Sequence, residues 1–168
     1  DQPMPDPQWP KGAQAKRGTN GYLYSKPIAT GKSTEDRPPH FFDWGPDAQP
    51  EIGTADHKVV DWAASELKKP RKQPFFHAVG IFRPHIPWYA PQKYFTLYPE
   101  KNVFLPKIKE NDLEDVPKPG QYGIRKQWHK WLLDNNEWRG AIRGYLASIS
   151  FADAQVGRLL DALDKSPH

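Results

Sequence analysis

The alternation of apolar and polar residues is clearest in three stretches of the chain, and the first of these predicts a helix. Val59, Ala63 and Leu67 recur at every fourth position, which is the spacing of one helix face. Thr54 precedes them as a favourable N-cap residue, and a proline follows the pattern as a stop signal. The pattern therefore predicts a helix over residues 54–69.

The longest periodic stretch lies near the end of the chain and predicts a second helix over residues 137–165. Its apolar row consists of Ile142, Leu146, Ile149, Val156, Leu160 and Leu163, with Asp153 in the same row. Four-residue and three-residue steps alternate along this row, as they do on one helix face. We expect the row to face the core. Because an unpaired carboxylate is costly to bury, Asp153 should then meet a partner or water; a catalytic role for it is the alternative.

The third stretch, residues 74–82 (PFFHAVGIF), is a continuous apolar run of strand length. Such a run is typical of a strand buried on both faces of a parallel sheet. The order of helix, short link and strand indicates an α/β fold. Between these elements, frequent prolines and glycines predict a loop-rich chain over residues 1–53 and 99–136, with short helices at 91–98 and 122–133.

Composition limits the possible classes of function. The chain has 168 residues, enough for one domain with a core, and contains 19 prolines and 12 glycines. Its net charge is +4, but the basic residues are scattered and form no stripe, so we expect no nucleic-acid partner. No apolar run approaches the roughly 18 residues of a membrane span. The absence of cysteine excludes disulfides and a thiolate nucleophile in this segment and leaves the compartment open.

The apolar run ends in an unusual corner made of Arg83, Pro84, His85, Ile86, Pro87 and Trp88. Each proline fixes its own φ and restricts the residue before it, so the corner is stiff. Ligands of open α/β sheets bind beyond the carboxyl ends of the strands. There, Arg83 and a charged His85 would donate hydrogen bonds to an anion, and Trp88 would offer a flat wall. A surface turn with an incidental histidine remains the alternative.

The remaining histidines suggest no metal centre. His40, His57, His77, His129 and His168 lack the spacing of metal ligands. We therefore predict no metal site within this segment. Asp43 and Trp44 either line the mouth of a pocket or cap and pack a loop.

Three motifs give the chain a family resemblance. FFHAVGIFRPHIPWYAPQKYFTLYP (75–99) resembles the pattern PFFLAVGxxKPHxPxxxPxxYFxLYP of sulfatases, especially iduronate-2-sulfatase-like and choline-sulfatase-like members. FFDWGP (41–46) followed by ADHKVVDWAASEL (55–67), and GYLASISFADAQVGRLLDAL (144–163), are similar to further segments of that family in the same order. The resemblance implies an alkaline-phosphatase-like α/β fold. It also implies hydrolysis of sulfate esters, which we expect to be sulfated carbohydrates.

The resemblance assigns roles to the corner. His85 matches the family's histidine near the sulfate and is the candidate catalytic residue, whereas Arg83 stands where the family often has lysine. A planar guanidinium then replaces a point charge, and we expect Arg83 and Trp88 to bind substrate. The family uses a formylglycine nucleophile and calcium, but this chain has neither Cys/Ser-x-Pro-Ser-Arg nor Asp-His-Gly.

Residues 1–168 are therefore expected to be the central part of one sulfatase catalytic domain, without the nucleophile region and the metal-site region. Alone, the segment is expected to be inactive and to need the remainder of the sulfatase chain. The parent protein is expected to be periplasmic, secreted or lysosomal. Two alternatives stay open: a phosphodiesterase or phosphatase of the same superfamily, and a non-catalytic domain that binds sulfated glycans.

Overall fold

The computed structural model describes residues 42–47, 50–122, 124 and 126–168, apart from the side chain at position 127. Most of the loop predicted over residues 1–53 lies outside this part. The described α-helices are α1 (Ala55–Leu67), α2 (Gln92–Thr96), α3 (Lys118–Gln121), α4 (Lys126–Asp134) and α5 (Trp138–Asp164). Strands β1 (Trp44–Asp47) and β2 (Trp88–Pro91) and the 3-10 turns Glu51–Gly53 and Glu100–Asn102 complete the described elements.

A small parallel sheet lies beside the longest helix. β1 and β2 pair with Trp44 opposite Trp88 and Asp47 opposite Pro91. Helix α5 packs against both strands and also against α1, α2 and α4. None of the helices in the described part combines the length and the apolar content that a membrane crossing requires. The described part is thus a mixed helix and strand unit arranged around α5.

The predicted helices are present. Helix α1 lies within the predicted range 54–69, and the side chain of Thr54 accepts a hydrogen bond from the backbone N–H of His57 at 3.3 Å. Helices α2 and α4 lie at the two places where short helices were predicted. Because these predictions rest on local spacing and caps, they do not depend on what the helices pack against.

The prediction of a buried strand at 74–82 is wrong for the described structure. The segment has no regular secondary structure and is mostly exposed, with Phe76 92% accessible. A strand needs a neighbour for its backbone groups, and no described strand pairs with this segment. At its end, the amides of Phe82 and Arg83 bind a side chain of α1 instead. An apolar composition alone is therefore not sufficient to make this segment a strand.

The predicted core face of α5 is also wrong. Its buried residues are Ala141, Gly144, Ala147, Ser148, Phe151 and Gln155. The apolar row predicted to be buried is largely exposed, including Leu160 and Leu163. Phe151 and Leu160 are nine residues apart, which is two and a half helical turns, so they lie on opposite sides. Asp153 belongs to the exposed side and is solvated there.

Small residues explain which side of α5 is buried. The indole of Trp44 lies so close to α5 that a Cβ added at Gly144 would stand 2.5 Å from the Cβ of Trp44. Phe42, Trp44, Trp131, Leu132 and Ala141 form one core cluster around this contact. A large apolar residue on this side would separate the strand from the helix. The face that approaches β1 therefore carries glycine and alanine rather than leucine.

Asp43 and Trp44 pack rather than line a pocket mouth. Asp43 has no accessible surface, and its side chain accepts a hydrogen bond from the hydroxyl of Tyr89 on β2. The backbone carbonyl of Asp43 accepts another from the N–H of Trp88, at 2.8 Å. The residues just before β1 are thereby joined to β2 through both main chain and side chain.

We predict that Gly144→Ala lowers the free energy of unfolding by about 1–3 kcal/mol, the usual cost of overpacking a core. The reason is the contact between the new methyl group and Trp44. Chemical denaturation followed by tryptophan fluorescence measures the change. Gly157→Ala is the matched control in the same helix, because nothing lies within 4 Å of its Cβ position. It should gain up to about 1 kcal/mol from helix propensity; equal effects of the two variants would contradict the contact.

We predict that Tyr89→Phe destabilises the protein by about 1–3 kcal/mol, because it removes a donor from the buried carboxylate of Asp43. Tyr122→Phe serves as the control, since Tyr122 is 80% exposed. The same denaturation experiment compares the two. A loss below that of Tyr122→Phe would show that the hydroxyl of Tyr89 contributes nothing.

Candidate functional site

The corner predicted from the sequence forms a tight turn directly before β2. The peptide bonds preceding Pro84 and Pro87 are both cis. The N–H of His85 donates to the carbonyl of Phe82 at 3.0 Å, closing the turn. Because residues 74–82 are not a strand, the corner lies at the start of β2 and not at the carboxyl end of a described strand.

Asp56 anchors the corner to the first turn of α1. Its two carboxylate oxygens accept the backbone N–H groups of Phe82 at 2.8 Å and Arg83 at 3.1 Å. Asp56 is only 6% exposed, so these hydrogen bonds are largely shielded from water. Two consecutive amides bound by one carboxylate fix both the position and the direction of the chain as it enters the turn.

Arg83 points inward and holds the turn from within. Its Nε donates to the carbonyl of Tyr89 at 2.7 Å and its Nη1 to the carbonyl of His85 at 3.3 Å. Burial lowers the pKa of Arg83, while the negative charges of Asp56 and Asp47 act in the opposite direction. The guanidinium therefore brings positive charge to the base of the corner and links the turn to β2.

His85 is the exposed member of the corner. Its Nδ1 lies 2.6 Å from the carbonyl oxygen of Ile86. A carbonyl oxygen only accepts, so Nδ1 carries the hydrogen, and Nε2 is the nitrogen that can exchange a proton with a ligand. The ring also lies against Phe82, with 4.8 Å between centroids. The imidazole is thus held on two sides while it remains accessible to solvent.

Trp88 lies beside the turn and is partly buried. Its indole N–H donates to the carbonyl of Pro84 at 2.9 Å. Its ring lies 5.8 Å from that of Phe42 and 5.4 Å from that of Tyr145. The structure therefore brings Arg83, His85 and Trp88 into one turn, with His85 the most exposed of the three.

Two residues of this site were not predicted from the sequence. The carboxylate of Asp56 and the backbone carbonyl of Tyr89 both bind the corner, and neither carries a local signal of that role. Asp56 lies 26 residues before Phe82. A carboxylate in the first turn of a helix is favoured by the helix dipole alone, so its position gave no reason to expect a distant partner.

A second polar cluster lies where α1, α2 and α5 meet. Glu51 accepts hydrogen bonds from Gln155 at 3.0 Å and Tyr94 at 3.2 Å and pairs with Lys93. Burial would raise the pKa of Glu51, but the hydrogen bonds from Lys93 and Gln155 outweigh it and the pKa is lowered. The cluster continues to Asp61 of α1, which pairs with Arg158 of α5. It joins helices and is separate from the corner.

The described residues do not fit the metal that the resemblance implies. Across these residues, no three His, Cys, Asp or Glu side chains come together as a cation would need. A cavity of about 840 Å³ lies away from the corner, between residues 108–114 and α4. Its lining carries acidic groups such as Glu110 as well as basic ones such as Lys126 and Lys130, so it favours no anion.

Comparison with known proteins gives a consistent result. The family model described as Sulfatase matches residues 13–168. A protein named sulfatase from Formosa agariphila is 40% identical over 129 residues, covering 75% of this chain and 25% of the relative. Iduronate 2-sulfatase from Homo sapiens is 34% identical over 130 residues, covering 68% of this chain and 23% of the relative.

A more distant relative is choline-sulfatase from Rhizobium meliloti, at 25% identity over 96 residues, which cover 56% of this chain and 19% of the relative. The chain therefore spans about a quarter or less of the length of these curated relatives. The family match extends over nearly all of its residues and includes the corner, α1 and α5. On this basis the chain belongs to the sulfatase family.

Proposed function

We propose that the complete protein is a sulfuric ester hydrolase and that this chain supplies a part that contacts the sulfate group. The observation that carries the proposal is the corner, where an exposed imidazole of fixed tautomer stands on a turn held by Asp56 and Arg83. A rigid donor loses little entropy when it binds an anion. Membership of the sulfatase family supports a sulfate ester as that anion.

His85 is the catalytic residue in this proposal. When it is protonated, its Nε2–H donates either to a sulfate oxygen or to the leaving oxygen of the ester, and the charge on the imidazolium strengthens that bond. Arg83 and Trp88 are the proposed substrate-binding residues. Arg83 supplies positive charge from the base of the corner, and Trp88 forms a wall beside it.

The complete enzyme in this proposal has an alkaline-phosphatase-like α/β fold, of which residues 1–168 are a central part. A formylglycine nucleophile and a divalent metal, which we infer to be calcium, belong to its other parts, with the metal ligands outside this segment. The formylglycine would supply the attacking oxygen, and the metal would hold the sulfate group. The remainder of the sulfatase chain is thus the partner that this segment needs.

Sulfated carbohydrates are the proposed substrate class. The relative named for iduronate, a sugar acid, is matched at higher identity and over more of this chain than the relative named for choline. Exposed aromatic side chains such as Phe104 and Tyr122 offer flat surfaces of the kind that sugar rings contact.

We predict that the complete protein hydrolyses 4-nitrophenyl sulfate faster than 4-nitrophenyl phosphate. The release of 4-nitrophenol, measured by absorbance, compares the two esters at equal concentration. Faster turnover of the phosphate ester would favour a phosphatase or phosphodiesterase of the same superfamily and would overturn the assignment. The isolated 168-residue chain is the control and is expected to be inactive.

Binding of sulfated glycans without hydrolysis of either ester would favour the remaining alternative, a non-catalytic binding domain. If neither ester is hydrolysed, retention on a heparin column at moderate salt tests for a domain that binds sulfated glycans. In that case binding should persist after His85→Ala, because a surface patch does not depend on one imidazole.

We predict that His85→Ala lowers kcat of the complete enzyme by roughly 10²-fold or more, the lower end of what a positioned proton donor contributes. Steady-state rates on 4-nitrophenyl sulfate measure the loss. His129→Ala is a suitable control, since His129 lies on α4 and its ring contacts Trp138. A rate unchanged from the wild type would remove His85 from the mechanism.

A series of aryl sulfates separates the two possible contacts of His85. If His85 donates to the leaving oxygen, the loss in His85→Ala grows as the phenol becomes more basic, because a more basic leaving group depends more on a proton. If His85 contacts a sulfate oxygen, the loss stays constant along the series.

A further inference from the structure

Asp56 has a buried carboxylate that its own helix does not need. The N-cap of α1 is Thr54, whose hydroxyl accepts from the N–H of His57 at 3.3 Å and donates to the carbonyl of Glu51 at 2.7 Å. Asp56 lies two residues after the N-cap, in the first turn of α1, and its carboxylate binds the amides of Phe82 and Arg83. The carboxylate is therefore committed to a segment that is distant in sequence.

Two routes of hydrogen bonds lead from Asp56 to His85. In the first, Asp56 holds the N–H of Phe82, and the carbonyl of Phe82 accepts the N–H of His85 at 3.0 Å. In the second, Asp56 holds the N–H of Arg83, whose Nη1 donates to the carbonyl of His85 at 3.3 Å. Both the N–H and the C=O of His85 are thus fixed through residues that Asp56 binds.

Charge reinforces the second route. The side chain of Arg83 is half-buried, and burial alone disfavours the charged form of its guanidinium. The negative charges of Asp56 and Asp47 act against that penalty. A neutral side chain at position 56 would remove an amide acceptor and part of this compensation at once, so the guanidinium would hold the carbonyl of His85 less firmly.

We propose that Asp56 is the positioning residue of His85, setting where the imidazole stands relative to the sulfate ester without touching the ester itself. This inference rests on the proposed function. A misplacement of about 1 Å in a reacting group can cost up to about 10²-fold in rate. Loss of the carboxylate should therefore lower kcat by displacing His85.

The test is a double-mutant cycle in the complete enzyme with 4-nitrophenyl sulfate as the probe. Asp56→Asn keeps the shape but offers one carbonyl oxygen in place of two carboxylate oxygens. We expect it to lower kcat roughly tenfold with KM nearly unchanged. In the His85→Ala background the same substitution should have almost no further effect, because residues that act as one unit are not additive. An equal loss in both backgrounds would overturn the proposal.

Asp61→Asn is the matched control. Asp61 lies on the same helix, is partly exposed and pairs with Arg158 rather than with the corner. It should leave kcat close to that of the wild type. If Asp61→Asn lowers kcat as much as Asp56→Asn does, the effect comes from a general loosening of α1 and the proposal fails.

If Asp56→Asn fails to fold, a second variant and a second readout still test the proposal. Asp56→Glu keeps both oxygens and the charge on a side chain one methylene longer, and it should lower kcat less while showing the same non-additivity with His85→Ala. The NMR chemical shifts of the ring hydrogens of His85 provide a readout independent of turnover. We expect these signals to move in both Asp56 variants and not in Asp61→Asn; unchanged signals in both Asp56 variants would contradict the proposal.

The outcomes separate this inference from the proposed function. If His85→Ala leaves the rate unchanged, the catalytic role of His85 fails, whatever Asp56 does. If His85→Ala lowers the rate and both Asp56 variants leave it unchanged, only the positioning role fails.

Discussion

The carboxylate of Asp56 is the contact on which the arrangement of the corner depends. It binds two consecutive amides at the end of an exposed segment that has no strand partner in the described part of the chain. These two hydrogen bonds tie Phe82 and Arg83 to the first turn of α1. A buried carboxylate with two N–H donors keeps its charge compensated, and a chain held by adjacent amides can neither slide nor rotate freely. The placement of His85 follows from this constraint.

Local spacing allowed the helices to be predicted, but not their surroundings. Periodicity and caps act within a few residues, which is why α1 and α5 appear where the pattern placed them. The buried side of α5 depends instead on Trp44, about a hundred residues earlier, whose indole requires glycine at position 144. The row of α5 that is richest in leucine and isoleucine therefore predicted the wrong buried face of this helix. The prediction of a strand at 74–82 failed for a related reason, because a strand forms only where a neighbouring strand accepts its backbone hydrogen bonds.

In the candidate site, too, the features set by local sequence could be predicted and those set by distant residues could not. Two prolines within five residues make a stiff turn wherever they occur, so Arg83 and His85 could be expected to lie together from the sequence. The inward direction of Arg83 could not be expected, because its acceptor is the carbonyl of Tyr89 in β2. The Asp56 contact, 26 residues away, had no local signal. The sequence of such a site shows which chemical groups it contains. Long-range contacts decide which of those groups face the substrate.

The hydrogen bond between Nδ1 of His85 and the carbonyl of Ile86 has a consequence for how the site tolerates change. In many enzymes a carboxylate side chain selects the imidazole tautomer, and a single base change can abolish it. Here the acceptor belongs to the main chain, and every amino acid carries it. Other amino acids can therefore replace Ile86 in evolution without changing which ring nitrogen of His85 carries the hydrogen, provided that the turn itself persists.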